Sequence, residues 1–422
     1  MRIVISSDLY WPTVNGVSTA SHTLALGLAK RGHQVLVLAP SQTGEHYIEE
    51  DGDTEVVRLK STIFPFYHNQ IDPLPPRREI VGVSVPRLPI YTKNGFRICL
   101  APRREITKAL DIFKPDIIHN HMRIMIGQEV LRYSRLNNVP IVSTNHVMPE
   151  NLVDNLKLVA PFSKQINRAI KFLGRAITQV DYIIMPTQSA IDMSFTKEEL
   201  RHLKVPVQAV SNGINLSQFA AKKAPASIYA KYGLPKDQPI IMYFGRVDQE
   251  KHLGVLLEAF AHIRGVTGSS VVVVGAGTDE ANLRERAKEL RISSHVVFTG
   301  RVPDEDKTPL LQAATVYCMP SPVELQSIST LEAMACGQPV VAVDAGAVGE
   351  LCQDGRNGYL CEKDNVDQIA VGLERILTNK TLRAKFAAES LAIAKTHDIT
   401  NTLKQIEEIY QKTIKLRAQK TK

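Results

Sequence analysis

The chain has 422 residues, of which 44% are hydrophobic and 22% charged, and a formal net charge of +8. This composition excludes a disordered chain, and the length favours two domains over a single core. No apolar run approaches the ~20 residues that a membrane-spanning helix needs. Five scattered cysteines without a Cys-x-x-Cys pair indicate free thiols in a reducing cytoplasm.

The first half of the chain alternates short apolar strands with helices. Because a strand is predicted directly at the N-terminus, we expect no signal peptide. The predicted strands are Arg2–Ser6, Gln34–Ala39, Asp116–His119, Ile141–Thr144 and Tyr182–Met185, and the predicted helices include Ser18–Lys30, Arg103–Phe113 and Gly127–Leu136. This alternation is typical of a parallel sheet covered by helices on both faces.

Two segments interrupt this alternation. Ile63–Pro102 is rich in proline, aromatic and basic residues, and we interpret it as an insertion near an active-site cleft or a membrane-facing edge. Asn151–Ala176 has basic residues at helical spacing, which fits either an ordinary surface helix or a membrane-surface helix.

The excess positive charge is concentrated in the first half. Residues 1–204 contain 25 Lys and Arg against 19 Asp and Glu, a difference of +6. An anionic membrane surface, nucleic acid or plain solubility would each explain it. No basic module interleaved with aromatic residues is visible, so we predict no nucleic-acid partner.

The strand–helix alternation restarts after Val205. Ser217–Pro239 is polar and is predicted to be an inter-domain connection containing a small helix. A second parallel sheet is predicted from Ile240–Phe244, Ser270–Val274, His295–Phe298, Thr315–Met319 and Val340–Val343. A last helix, Thr400–Leu416, follows this sheet, and its apolar positions need a surface against which to pack.

Three loops follow directly after predicted strands, where open α/β sheets bind ligands. Asn15 and Gly16 either let the backbone approach a ligand at a helix start or form a simple turn. In Phe244–Lys251, Arg246 and Lys251 can bind phosphate oxygens; alternatively, Arg246 pairs with Asp248 and Lys251 is a surface residue. Gly275-Ala276-Gly277 lacks the third glycine of a dinucleotide fingerprint, so a dehydrogenase is disfavoured.

The segment Pro320–Pro339 (PSPVELQSISTLEAMACGQP) has two carboxylates eight residues apart. Glu324 is predicted on a strand-to-helix loop and Glu332 in the first turn of the helix Thr330–Cys336. The helix N-terminus suits a phosphate, and the carboxylates can accept hydrogen bonds from sugar hydroxyls. Alternatively, Ser329 and Glu332 form a capping box and Glu324 is a solvated loop residue.

Three histidines also follow predicted strands. His119 and His121 could bind a metal as an H-x-H pair, but no third ligand is evident, so no metal site is predicted. His146 is the better candidate for a functional site because the loop after it is long and irregular.

Several of these stretches together resemble one enzyme family. GRVDQEK, NGIN, ELQSISTLEAMACGQPVVA and the glycine-bearing first loop resemble a retaining glycosyltransferase of family 4, which includes glycolipid mannosyl- and glucosyltransferases. The resemblance covers essentially the whole chain. It implies an α/β glycosyltransferase B-type fold with two Rossmann-like domains facing a central cleft. The implied boundaries are an acceptor domain at 1–205, a nucleotide-sugar domain at 206–399, and a final helix, 400–422, that returns to the first domain.

The resemblance also implies roles for individual residues. Arg246 and Lys251, beside Gly245, bind the donor phosphates, and Gly16 approaches the diphosphate. Glu324 contacts the sugar and Glu332 the ribose, while His146 is the catalytic-site histidine. Backbone N–H groups of Ser327, Ile328 and Ser329 hold the diphosphate and sugar, and Val302 touches the nucleobase. Many members have Phe-Gly where this chain has Leu325-Gln326, and glutamine does not adopt a positive φ readily.

The expected reaction is hexose transfer from UDP-glucose or GDP-mannose to a hydroxyl acceptor. Without a cofactor or metal, Arg246, Lys251 and the helix N-terminus stabilise the leaving diphosphate, and the acceptor attacks the same face of the sugar. The basic first half favours a lipid acceptor, such as diacylglycerol or a phosphoinositide, at the inner face of the cell membrane. The alternatives are a sugar-nucleotide epimerase of similar fold and a transferase with a soluble acceptor.

Overall fold

The structure is a computed structural model that describes residues 1–13, 15–63, 77–80, 83–86, 97–146 and 179–420. For 77–80, 83–86 and 420 it describes the backbone alone. The chain divides into a first unit, Met1–Asn212 with Thr402–Lys422, and a second unit, Gly213–Asn401. Most of the predicted Ile63–Pro102 insertion and the basic segment 151–176 lie outside the described residues.

The first unit is built on an eight-stranded sheet. The strand order is β12-β11-β10-β9-β1-β2-β4-β3, parallel except for β3. Its strands are Arg2–Ser6 (β1), Gln34–Pro40 (β2), Tyr47–Asp51 (β3), Thr54–Leu59 (β4), Ile117–Asn120 (β9), Ile141–Thr144 (β10), Tyr182–Met185 (β11) and Val207–Ala209 (β12). Two antiparallel pairs join Thr62–Ile63 (β5) to Arg97–Ile98 (β8) and Arg77–Ile80 (β6) to Val83–Pro86 (β7).

In the described part of residues 1–212, each helix follows a strand, as the alternation predicts, except the last, which follows another helix. The helices are Gly16–Lys30 (α1), Arg103–Phe113 (α2), Met125–Leu136 (α3), Gln188–Ser194 (α4) and Lys197–His202 (α5). Helix α1 begins two residues earlier than predicted because the side chain of Asn15 accepts a hydrogen bond from the Ser18 N–H. An asparagine at this capping position satisfies an amide that the helix leaves unpaired.

The second unit has a six-stranded, fully parallel sheet of order β15-β14-β13-β16-β17-β18. Its strands are Ile240–Phe244 (β13), Ser270–Val274 (β14), Val296–Gly300 (β15), Val316–Met319 (β16), Val340–Val343 (β17) and Gly358–Cys361 (β18). Its helices are Ala226–Tyr232 (α6), Leu253–Thr267 (α7), Glu280–Glu289 (α8), Asp304–Ala313 (α9), Ile328–Ala335 (α10), Val366–Thr378 (α11) and Lys380–Thr396 (α12).

The prediction that Ser217–Pro239 connects the two domains is wrong. This segment lies inside the second unit, where Phe219, Ile228 and Leu234 are buried in the hydrophobic core. The segment looked like a linker because most of its residues are polar or proline. Three large apolar side chains, spaced along it, nevertheless pack on the core.

The last helix, Ile399–Lys420 (α13), supplies the first unit with a packing face. Leu403, Ile406, Ile409 and Tyr410 are all buried. The Leu403 side chain packs so closely on Gly27 of α1 that a Cβ there would lie 2.8 Å from it. At the exposed edge of this contact, Arg31 donates two hydrogen bonds to Glu407.

Candidate functional site

In the second unit, the predicted donor-binding residues lie at the carboxyl ends of the strands, on loops or on the helix that follows β16. Residues 245–251 follow β13 and residues 320–327 follow β16, its neighbour in the sheet. The carboxyl ends of parallel strands lie at one edge of a sheet, so these two loops meet. That edge is the usual ligand-binding position of an open α/β sheet.

A salt bridge connects the two loops. Lys251 Nζ lies 2.7 Å from Glu324 Oε1 and 3.8 Å from Glu250 Oε1, with its side chain only 11% exposed. The alternative of a surface lysine is therefore wrong. Arg246 pairs with Asp248, as the alternative interpretation predicted, and also with Glu250. The edge of the sheet thus has a guanidinium and an ammonium group, each oriented by carboxylates.

Two glycines allow the strand ends to approach each other. Gly245 has a φ of +154°, in a region that L-residues rarely adopt. A Cβ at Gly275 would lie 1.8 Å from the Gly245 carbonyl oxygen, so no side chain fits there. Gly275 of the incomplete dinucleotide fingerprint is thus explained by backbone packing against Gly245.

Helix α10 begins earlier than predicted. Its N-cap is Ser327, whose side chain accepts a hydrogen bond from the Thr330 N–H. Ile328 and Ser329 form the first turn, and Ser329 Oγ is 2.9 Å from the Tyr317 hydroxyl. The predicted position of Glu332 in the first turn is therefore wrong, and so is the capping box between Ser329 and Glu332.

Glu332 is instead oriented by a lysine from another helix. Lys307 Nζ, on α9, lies 2.9 Å from Glu332 Oε1 and 5.6 Å from the centre of the Phe244 ring. Burial raises the pKa of the Glu332 carboxyl, and the charge of Lys307 opposes that shift. The carboxylate is therefore held in place by a cation and can still accept further hydrogen bonds through its other lone pairs.

The remaining predicted residue of this unit, Val302, lies two positions after β15 and packs partly buried against the hydrophobic core. In the 320–327 loop, Leu325 and Gln326 are both buried. Among the described residues, those with a positive φ do not include Gln326. The loop of this chain is therefore built without the glycine conformation that many members can use at that position.

Gly16 and His146 belong to the first unit. Gly16 opens α1, and a Cβ there would meet no atom of the described residues within 4 Å. Neither packing against those residues nor a positive φ therefore requires a glycine here. An open helix N-terminus of this kind can receive an anion that approaches its backbone closely.

His146 is part of a cluster of three histidines. Its Nε2 lies 2.9 Å from His121 Nδ1, so one ring donates to the other, and the two rings stack. His121 stacks in turn on His119, whose Nδ1 is 2.6 Å from the Tyr410 hydroxyl and whose Nε2 is 2.7 Å from Thr144 Oγ1. Burial lowers the pKa of His119 to about 3 and that of His146 to about 4, and lowers the pKa of His121 as well. His146 is therefore neutral at pH 7.

Sequence reasoning missed three supporting residues, of which two contact the candidate site groups and one caps a helix. Lys307 orients Glu332, and Tyr410 supports the histidine cluster. Asp8 accepts hydrogen bonds from the amides of residues 124–127 and so caps α3. Only the Asp8 interaction had a local signal, an acidic residue directly after a strand. The other two join elements that are distant in sequence.

Within the described residues, no group of three or more His, Cys, Asp or Glu side chains is arranged to hold a metal ion. In the same part of the chain, every helix is too short or too polar to cross a lipid bilayer.

Known proteins share both the sequence pattern and the fold. Residues 14–218 match the model of Glycosyltransferase Family 4, and residues 226–391 match that of Glycosyl transferases group 1. The alpha-monoglucosyldiacylglycerol synthase of Streptococcus pneumoniae is 25% identical over 403 residues, which cover 93% of this chain and 82% of that protein.

Two solved structures are similar over nearly their whole length. Sucrose-phosphate synthase from Thermosynechococcus elongatus has a TM-score of 0.73 at 18% identity, covering 97% of this chain and 98% of that one. Anabaena HepE in complex with UDP-glucose has a TM-score of 0.67 at 18% identity, covering 97% and 99%. These likenesses show the α/β glycosyltransferase B-type fold with its two Rossmann-like domains. The two family models together span most of the chain. The chain therefore belongs to glycosyltransferase family 4, with a second half of the group 1 type, and is an enzyme that transfers glycosyl groups.

Proposed function

We propose that this glycosyltransferase moves a hexose from UDP-glucose or GDP-mannose to a hydroxyl of a membrane lipid such as diacylglycerol, with retention of configuration and without a metal. The observation that carries the proposal is the contact between Lys251 and Glu324 beside Arg246. It combines cations for a diphosphate with a carboxylate for sugar hydroxyls at one edge of the second sheet.

The donor is assigned to the second unit by the chemistry of its side chains. The nucleoside diphosphate would exchange one carboxylate around Arg246 for a phosphate oxygen, which suits the planar fork of a guanidinium. The N-terminus of α10, beginning at Ser327, would hold a second phosphate through its backbone N–H groups. Glu332, fixed by Lys307, would accept hydrogen bonds from the ribose hydroxyls, and Val302 would contact the base.

In the proposed reaction, negative charge develops on the departing diphosphate. Arg246 and Lys251 stabilise that charge, and because they do so directly we expect no metal requirement. Glu324, held by Lys251, orients the sugar hydroxyls and does not form a covalent bond to the sugar. The acceptor hydroxyl attacks the face that the diphosphate leaves, and its proton passes to a departing phosphate oxygen. His146, the candidate residue of the first unit, is neutral at pH 7 and can donate or accept a hydrogen bond.

The acceptor is assigned to the first unit. Among the described residues, Tyr10 Oη, Asn15 Nδ2, Ser18 Oγ and Gln42 Oε1 are buried without a hydrogen-bond partner. All four follow β1 or β2 at the carboxyl edge of the sheet. Unpaired buried polar atoms cost about 1–3 kcal/mol each, so a polar head group that pairs them would be bound favourably.

A lipid acceptor is supported by the name of the Streptococcus pneumoniae relative, alpha-monoglucosyldiacylglycerol synthase, and by the basic first half of the chain. We therefore place the enzyme peripherally at the inner face of the cell membrane, held by anionic lipids. A soluble acceptor is the alternative.

The deciding experiment measures nucleotide release from a panel of UDP- and GDP-sugars, with and without diacylglycerol or phosphoinositide vesicles. Lipid-stimulated release from one donor, lost in Glu324→Ala and Arg246→Ala and unaffected by EDTA, would support the proposal. The anomeric configuration of the glycolipid product, read by NMR, tests retention. Release that does not depend on lipid would redirect the search to soluble acceptors, and no release from any donor would overturn the proposal.

A further inference from the structure

The backbone of Glu324 contacts the loop that follows strand β17. Strand β17 lies beside β16 in the second sheet, and its following loop, residues 344–350, meets the loop that carries Glu324. The Ala347 N–H donates a 2.7 Å hydrogen bond to the Glu324 carbonyl oxygen. Glu324 is thus held through its backbone from one side and through its carboxylate, by Lys251, from the other.

Gly346 makes this contact possible. A Cβ at Gly346 would lie 2.5 Å from the Glu324 carbonyl oxygen and 3.1 Å from its backbone nitrogen. Both atoms are backbone, so relief requires one of the two loops to move. Gly346 also has a φ of +60°, a conformation that favours glycine. Ala347 and Val348 are buried, which limits how far the 344–350 loop can shift away.

We propose that Gly346 and the Ala347 N–H form a backbone clamp that positions Glu324 against the sugar of the donor. The proposal rests on the function proposed above, in which Glu324 orients the sugar hydroxyls. Gly346 is a positioning residue, since it acts through Glu324 and contacts no reacting atom. A displacement of about 1 Å in such a group can cost about 100-fold in rate. The nucleotide part of the donor is assigned to other residues, so its affinity should not depend on the clamp.

The chain offers two matched controls for Gly346→Ala. Gly349 lies in the same loop, and a Cβ there would make only an ordinary 3.5 Å contact with Leu360. Gly355 has a similar φ of +68°, but a Cβ there would meet none of the described residues within 4 Å. Gly349→Ala therefore controls for a change in the loop, and Gly355→Ala controls for the strain of a left-handed alanine.

The experiment measures donor turnover, the affinity for UDP and GDP by calorimetry, and the melting temperature of all three variants. We expect Gly346→Ala to lose at least about tenfold in turnover with nucleotide affinity within about twofold of wild type. Gly349→Ala should resemble wild type, and Gly355→Ala should lose stability only. The clamp is overturned if Gly346→Ala and Gly355→Ala have equal turnover, or if nucleotide affinity falls as much as turnover.

Two further measurements cover the cases in which Gly346→Ala does not fold or wild type shows no turnover. If Gly346→Ala does not fold, Ala347→Pro is the second variant. It replaces the N–H that donates to the Glu324 carbonyl oxygen by a ring carbon, so it should show the same selective loss. If wild type turns over no donor, the proposed function fails. The clamp is then tested by comparing the position of the Glu324 carbonyl in crystal structures of wild type and Gly346→Ala. An unmoved Glu324 carbonyl in the variant would overturn it.

Discussion

The hydroxyl of Tyr410 lies 2.6 Å from Nδ1 of His119, although 291 positions of sequence separate the two residues. Both side chains are completely buried. This hydrogen bond connects the last helix to His119 on β9. His119 stacks on His121, which in turn stacks on His146. Support for a candidate site residue thus comes from the far end of the chain.

Tyr410→Phe should destabilise the first unit by about 1–3 kcal/mol, because it leaves a buried imidazole nitrogen without a partner. Denaturant unfolding measures this loss. Tyr133→Phe is the matched control, since the Tyr133 hydroxyl donates to Asp111 in a partly exposed position where water can replace it. Equal losses in the two variants would contradict the importance of the buried bond.

The histidine cluster predicts a dependence of stability on pH. Burial places the folded-state pKa of His119 at about 3 and that of His146 at about 4, below the ordinary value of 6.5. Between these values the unfolded chain binds more protons than the folded one. The free energy of unfolding is therefore highest above pH 6.5 and falls as the pH is lowered, by up to about 1.4 kcal/mol per pH unit for each histidine.

Urea unfolding between about pH 7 and pH 5 measures this slope. His146→Gln removes one of the titrating groups and should make the dependence shallower. If the slope of His146→Gln equals that of wild type, His146 is not neutral in the folded protein as inferred.

Lys307→Gln should weaken nucleotide binding by about tenfold or more, and more strongly at low pH. Burial raises the pKa of Glu332 and Lys307 lowers it, so removal of Lys307 shifts the pKa further upward. A protonated carboxyl accepts fewer hydrogen bonds from ribose. Calorimetric titration with UDP and GDP at two pH values measures the effect. Lys231→Gln, which removes the exposed partner of Asp306, is the control and should not alter nucleotide affinity.

Glu324→Gln and Lys251→Met should separate sugar orientation from phosphate binding. Loss of the Glu324 charge should lower turnover by at least about tenfold with little effect on UDP or GDP affinity. Lys251→Met removes a phosphate-binding cation and also releases Glu324, so it should lower both. Steady-state kinetics together with nucleotide titration distinguish the two patterns. An equal loss of nucleotide affinity in both variants would contradict the division of roles.

Binding to anionic vesicles should weaken as salt rises from about 0.05 to about 0.5 M, because salt screens exposed charges. Sedimentation with phosphatidylglycerol vesicles measures this, and phosphatidylcholine vesicles are the control. Equal binding to both lipids, or binding to neither, would contradict an electrostatic attachment.

The regular parts of the fold were predictable because buried parallel strands read as short apolar runs, as Ile240–Phe244 and Ser270–Val274 do. Strands Tyr47–Asp51 and Thr54–Leu59 were missed. The first lies at the sheet edge with alternating half-buried and exposed residues, and the second contains Arg58, a charged residue that is fully buried. Arg58 is tolerated because Glu49 and the carbonyl oxygen of Trp11 pair with it.

The candidate site likewise has features that the sequence predicted and features that it did not. The spacing of Glu324 and Glu332 placed them on the correct loop and helix, but local sequence also allowed a capping box for Glu332 as the alternative. In the structure the N-cap is Ser327, five residues before Glu332, and the Glu332 carboxylate pairs with Lys307 instead. The pairing of Gly346 with Glu324 has no signal at all in a single sequence, since it depends on which strands are neighbours.

The packing of Leu403 on Gly27 has a consequence for biosynthesis. A ribosome completes residues 1–212 long before it reaches Thr402. Helix α1 therefore lacks its contact with Leu403 of α13 while the whole second unit is being synthesised. A fragment ending at residue 400 would keep every strand of the first sheet yet expose the surface that Leu403, Ile406, Ile409 and Tyr410 cover. The first unit is thus the earlier of the two to be translated and the later to be completed, and its apolar surface is exposed during that interval.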